Sequence, residues 1–245
     1  MKSKKRKTLE LSGIIIIIVI VVTIVCIALL KYHVEGETDM PYILKQMVII
    51  STANGKNTTQ TENKWNIEIY QNTDVYFEIE RNSEHKSNEN IKNIKIQNIQ
   101  IIGNEKNMPK AYMPSTDTEQ MFNYTENNII QNDLIYIVDK NKDIKNKKIT
   151  TEGGIIAISF CIPNIANYIG NDDKISYDGT LLKKAGIIIE DIQANIKLDL
   201  ILETETGKKY KAEISMNVPE EDITETGITI KEDTQLENVV FKRTN

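Results

Sequence analysis

The chain has 245 residues, a formal net charge of −5, two histidines and two cysteines. So few nitrogen and sulfur ligands exclude an ordinary transition-metal centre, and two cysteines exclude a disulfide-stapled scaffold. Residues 1–30 hold five basic residues and one acidic residue, leaving −9 on the remainder, a balance that repels phosphates and argues against nucleic acid as a partner.

Residues 1–10 form a basic tail with Lys2, Lys4, Lys5, Arg6 and Lys7. Residues 11–30 follow as an apolar run built around Ile14 to Val22. About 20 residues at 1.5 Å rise cross a bilayer core of about 30 Å, so the run predicts one transmembrane helix. Excess Lys and Arg stays cytoplasmic, which places the N-terminus inside and the C-terminal part outside a cell membrane. A cleaved signal peptide is the competing reading, but its apolar core is about 7–15 residues and ends at an A-x-A-like site. Ile27-Ala28-Leu29-Leu30 offers no such small pair, so the sequence predicts an uncleaved, single-pass signal anchor. A cytoplasmic tail this short is no folded output domain.

Residues 31–41 read as a polar stalk ending at Pro41, and residues 42–245 as the external domain. Tyr42 to Ile50 predicts a strand closed by an Asn54-Gly55 turn, with Lys56 to Lys64 as a loop. Trp65, Ile67 and Ile69, then Val75, Phe77 and Ile79, alternate with polar residues on either side of Gln71 to Asp74. That pattern predicts a hairpin turning at 71–74. Ile94 and Ile96 are out of phase with Ile99 and Ile101, a slip that predicts a β-bulge near Asn98.

Residues 103–132 are polar and irregular, with capping-box spacing from Thr116 to Glu119. Leu134 to Val138 and Ile155 to Ile162 predict strands, and Cys161 on the second reads as a small buried hydrophobe. Thr180 to Ala185 predicts one helical turn stopped by Gly186. A hairpin from Ile196 to Val218 turns near Gly207, and Ile228 to Ile230 and Val239 to Phe241 close the chain as short strands. Half-wet strands with almost no helix predict an all-β fold: an antiparallel, jelly-roll-like β-sandwich preceded by one transmembrane helix. Two tandem immunoglobulin-sized domains divided near 103–132 are the alternative.

Glu35-Gly36-Glu37-Thr38, Trp65-Asn66, Asn171-Asp172-Asp173, Asp178-Gly179-Thr180-Leu181-Leu182-Lys183-Lys184-Ala185-Gly186 and Val239-Val240-Phe241-Lys242-Arg243 occur in that order. This order resembles the uncharacterised membrane-anchored proteins of low-GC Gram-positive bacteria. The resemblance implies a bacterial cell-surface setting and brings no activity or site residues with it.

Catalytic signals are few. Nucleophilic catalysis needs a held histidine, and the chain offers His33 beside the membrane and His85 in a polar loop, with no G-x-S-x-G elbow. Asp139-x-Asn141-x-Asp143 begins an EF-hand spacing, but Ile144 replaces its glycine and Thr150 stands where its bidentate glutamate belongs. Asn171 to Asp173 with Asp178, and Glu220-Glu221-Asp222, read as turns and solvated loops. Trp65 shares the register of Ile67 and Ile69 and reads as core rather than a sugar platform. The Asn57 and Asn123 sequons matter only in a eukaryotic secretory pathway.

No catalytic, cofactor or metal set is assigned. The expectation is a non-enzymatic envelope module with a surface protein or glycan partner. Its rival is an envelope-polymer hydrolase or transferase using carboxylates from separate loops.

Overall fold

A computed structural model describes residues 16–29, 40–61, 64–84, 89–116, 120–138, 148–170, 179–234, 236, 239 and 241–244. His33, His85, the Asp139 to Asp143 loop, Asn171 to Asp178, residues 117–119 of the capping box and the stalk to residue 39 lie outside these.

Residues 16–29 form helix α1. Residues 11–15 and 30 of the expected span are not among those described, and no described helix is long and apolar enough to cross a membrane. The large apolar side chains of α1 are exposed by between 49% and 63%.

The strands are β1 (Tyr42–Thr61), β2 (Lys64–Arg81), β3 (Ile91–Gly103), β4 (Lys110–Tyr112), β5 (Leu134–Ile137), β6 (Gly153–Gly170), β7 (Ala194–Thr204), β8 (Lys209–Val218), β9 (Ile228–Asp233) and β10 (Lys242–Arg243). They form two antiparallel five-stranded sheets. Sheet A has the order β4-β6-β2-β1-β9 and sheet B the order β10-β8-β7-β3-β5. The expected all-β, sandwich-like architecture is therefore present. Each sheet pairs two consecutive strands as a hairpin, β1 with β2 and β7 with β8, whereas a jelly roll builds its sheets from Greek-key connections.

Period-2 alternation turns Val75, Phe77 and Ile79 of sheet A and Ile94, Ile96, Leu198 and Leu200 of sheet B into one buried cluster, which also takes in Phe241. Sheet A extends past sheet B, and beyond that edge three short helices cover its inner face. They are α2 (Leu181–Lys184), α3 (Ile189–Ile192) and α4 (Ile223–Thr226). Leu181, Leu182, Ile192 and Ile223 pack there on Ile67, Ile69, Ile162 and Ile165. Trp65 packs against this second cluster, in keeping with its core reading. Gly186 ends the α2 turn at φ 72°, as its position predicts.

Two turn expectations are corrected. Asn54-Gly55 lies inside β1, opposite Tyr70 and Ile69, and the loop expected from Lys56 is strand as far as Thr61. Gln71 to Asp74 is mid-strand in β2, flanked by β1 and β6. This polar run stays extended with Gln71, Thr73 and Asp74 partnered inside, while Asn72 Oδ1 is buried without a partner among the described residues. Gln71 Nε2 donates to Thr73 Oγ1 at 2.7 Å and to the Asn72 carbonyl at 2.8 Å, while Ser51 Oγ lies 2.9 Å from Thr73 Oγ1. Satisfied in this way, buried polar groups cost little. The expected closing strand at Val239 to Phe241 shifts to β10, because Phe241 is drawn into the core ahead of it.

Candidate functional site

Among the described residues, a surface depression of about 610 Å³, larger than two others, lies on the outer face of sheet B. The sequence builds it through the bulge. The β3–β7 register slips between Gln97 and Gln100, and Asn98 adopts φ 53°, the one described non-glycine residue with positive φ. Asparagine tolerates that left-handed conformation better than other side chains. The slip lets Ile94, Ile96 and then Ile101 face the core, as the phase change at Ile99 predicts.

It also aims Asn98 across the sheet. Its Nδ2 donates to Asp199 Oδ2 at 2.7 Å. Lys211 on β8 reaches the same oxygen at 3.3 Å and Glu213 Oε1 at 2.9 Å. Asp199 is thereby held at only 8% exposure. Glu213 holds the Lys211 ammonium above the usual lysine value against an opposing effect of burial, and Asp199 adds to the rise. Gln100, Lys197 and Ser215 complete the walls.

One ammonium, that of Lys211, bridges the Asp199 and Glu213 carboxylates in a single ion-paired cluster. The shared ammonium ties both side chains to the outer surface of the sheet.

A second polar group lies on the outer face of sheet A. Asp74 Oδ1 accepts from Ser159 Oγ at 2.5 Å and from the Tyr124 hydroxyl at 3.1 Å. The Tyr112 and Tyr124 rings meet edge to face at 5.3 Å beside it. A serine bonded to a carboxylate without an intervening imidazole is not an activated nucleophile. None of the three depressions reaches it. Its role is to pin the segment carrying Tyr124 against β2 and β6.

Burial raises the Asp74 carboxyl above its ordinary value, and the bonds from Ser159 and Tyr124 oppose that shift only in part. A raised folded value means the folded state binds the proton more tightly. The stabilisation from Asp74 is therefore complete below its unfolded value of about 3.9 and is lost as pH rises through the folded value. Asp74→Asn keeps an acceptor for both hydroxyls and removes the buried charge. It is expected to raise stability at pH 7 by on the order of 1 kcal/mol, with the gain shrinking towards pH 3. Urea unfolding across that range, followed by Trp65 fluorescence, reads the effect; a loss at pH 7 would contradict the charge argument.

Cys161 is buried on β6, as its sequence context predicts, and burial, assisted by Asp74, pushes its thiol up to about 12. It is an unreactive thiol. Glu221 and Asp222 are exposed ahead of α4, and Glu220 pairs with Lys231 at 2.8 Å. Thr150 bonds its hydroxyl to the Gly153 carbonyl at 2.9 Å in a tight turn. Asn57 is exposed on β1, and Asn123 precedes a 3-10 turn at Glu126–Asn128. Among the described residues no three His, Cys, Asp or Glu side chains converge as a metal site.

Sequence reasoning found the bulge through its phase slip and missed the Asp199–Lys211 pair. Asp199 sits in the wet phase of β7, and only Asn98 from another strand marks it as buried. No protein-family model, curated protein or solved structure matches this chain.

Proposed function

We propose that the chain is a single-pass membrane-tethered module of a bacterial cell envelope. Its N-terminal tail is cytoplasmic, and residues 42–245 form an extracellular β-sandwich that binds another envelope component without catalysis. The observation that carries this reading is α1. Its apolar side chains are exposed around the whole circumference and packed against nothing described, the pattern of a helix whose solvent is lipid. Thr23 Oγ1 donates back to the Val19 carbonyl at 2.8 Å, so the helix's one hydroxyl is satisfied internally. The basic residues before it support the inward N-terminus. The resemblance to membrane-anchored proteins of low-GC Gram-positive bacteria agrees with the setting.

The ammonium between Asp199 and Glu213, and the absence of a nucleophile–base pair among the described residues, favour binding over hydrolysis. The test is protease treatment of intact cells expressing the full chain with an N-terminal tag. The expected result is loss of the C-terminal domain, a protected tagged fragment and retention of the tag in carbonate-washed membranes. A chain that washes off, or a C-terminal domain shielded until the cells are lysed, would overturn the reading.

A further inference from the structure

The depression over Asp199 has a volume typical of a small-ligand site, roughly 300–1,000 Å³, and its chemistry narrows the ligand. Register places Asp199 beside Glu213 in one outward row, and Gln100, Lys197 and Ser215 across three strands in the next. Asn98 and Lys211 both bond to Oδ2 of Asp199. Its Oδ1 is left as a fixed acceptor with no described partner. The Gln100 amide, the Lys197 ammonium and the Ser215 hydroxyl likewise make no hydrogen bond or ion pair among the described residues.

Charge decides what these groups await. Lys197 and Lys211 balance Asp199 and Glu213, so neither a phosphate nor a bare cation gains net attraction there. An apolar ligand would strand the free donors and the carboxylate oxygen, each at the cost of a buried unsatisfied group. Vicinal hydroxyls fit, since each can donate to Asp199 Oδ1 and accept from Lys197, Gln100 or Ser215. No aromatic ring lines the floor, so binding rests on hydrogen bonds. Single sugar units would bind weakly and a polymer would gain by repetition.

We infer that this depression is a subsite for a neutral polyhydroxylated ligand, one sugar unit of a glycan, with Asp199 as the acceptor oriented by Asn98 and with Gln100, Lys197 and Ser215 as the donors around it. The inference rests on the binding-module reading and names the class of partner.

The test uses the full chain in nanodiscs of neutral lipid, followed by amide NMR. Neutral oligosaccharides of glucose, mannose, galactose or N-acetylglucosamine are titrated in turn, with inorganic phosphate as the anionic probe. At least one sugar is expected to shift amides of β3, β7 and β8 with saturation in the millimolar range. A Lys197→Ala/Ser215→Ala double variant, which removes only unpartnered groups, should weaken that binding about tenfold, as should Asn98→Gly. Unperturbed spectra elsewhere would show that both variants still fold. No shift from any sugar, equal binding by the variants, or the same shifts from phosphate would each overturn the inference. Such a failure leaves the tethered-module reading to the protease experiment, and a chain that washes off membranes yet binds sugar would fail there alone.

Discussion

Replacing Tyr136 with phenylalanine is expected to cost about 2–4 kcal/mol of folding stability although the ring stays in place. Tyr136 stands on β5 of sheet B and is fully buried. Its hydroxyl crosses to sheet A, donating to the Ala157 carbonyl at 2.6 Å and accepting from the Ala157 amide at 3.0 Å. The pairing of β4 with β6 runs only from Lys110 opposite Cys161 to Tyr112 opposite Ser159. Ala157 lies two residues beyond the end of that ladder, and no described strand pairs with it on that side. The hydroxyl takes the place of the missing residue for its N–H and C=O.

Phenylalanine would orphan a donor and an acceptor at the core edge, each costing about 1–3 kcal/mol. Urea unfolding should show a lower midpoint with little change in slope. A loss below about 1 kcal/mol would mean that water reaches Ala157 and that the phenol is not the bridge between the sheets.

How much of this was legible depended on whether a residue's partners lie close by in sequence. The β7–β8 hairpin, the Gly186 stop and the Asn98 bulge are written in local phase. Each could be read from alternation or one turn residue. Asn54-Gly55 and Gln71 to Asp74 carry equally good local turn signals and are strand, and neighbours distant in sequence partner Thr73 and Asp74. Ser51, Ser159 and Tyr124 do so from three distant segments. The site followed the same division. Asn98 was visible as a defect of pattern, whereas the burial of Asp199 arises only when β3, β7 and β8 lie side by side.

Gly179→Ala is the second large effect, expected at about 3–5 kcal/mol from left-handed strain together with overlap. Gly179 has φ 83°, and a Cβ there would run into the Thr226 carbonyl. Gly227, at φ 71°, faces it from the other side, where an added Cβ would meet Gly179 Cα at 2.8 Å. The two glycines let the backbone before α2 lie directly on the end of α4, which brings Leu181, Leu182 and Ile223 together over Ile67 and Ile69. A methyl group at either position must lift the helical cover from the distal half of sheet A.

Two comparisons separate close approach from other causes. Gly186 also has positive φ, but nothing lies within 4 Å of its added Cβ, so Gly186→Ala should cost only the conformational strain of about 1–2 kcal/mol. The Lys183–Glu225 pair at 2.7 Å joins the same two helices on the exposed surface, so Lys183→Ala should cost well under about 1 kcal/mol. Denaturant midpoints of the three variants should rank Gly179→Ala far below Gly186→Ala, and Lys183→Ala near the parent chain. Equal losses at the two glycines would show that strain alone is at work. The Gly179-Thr180-Leu181-Leu182 stretch would then have no special part in holding the helices to the sheet.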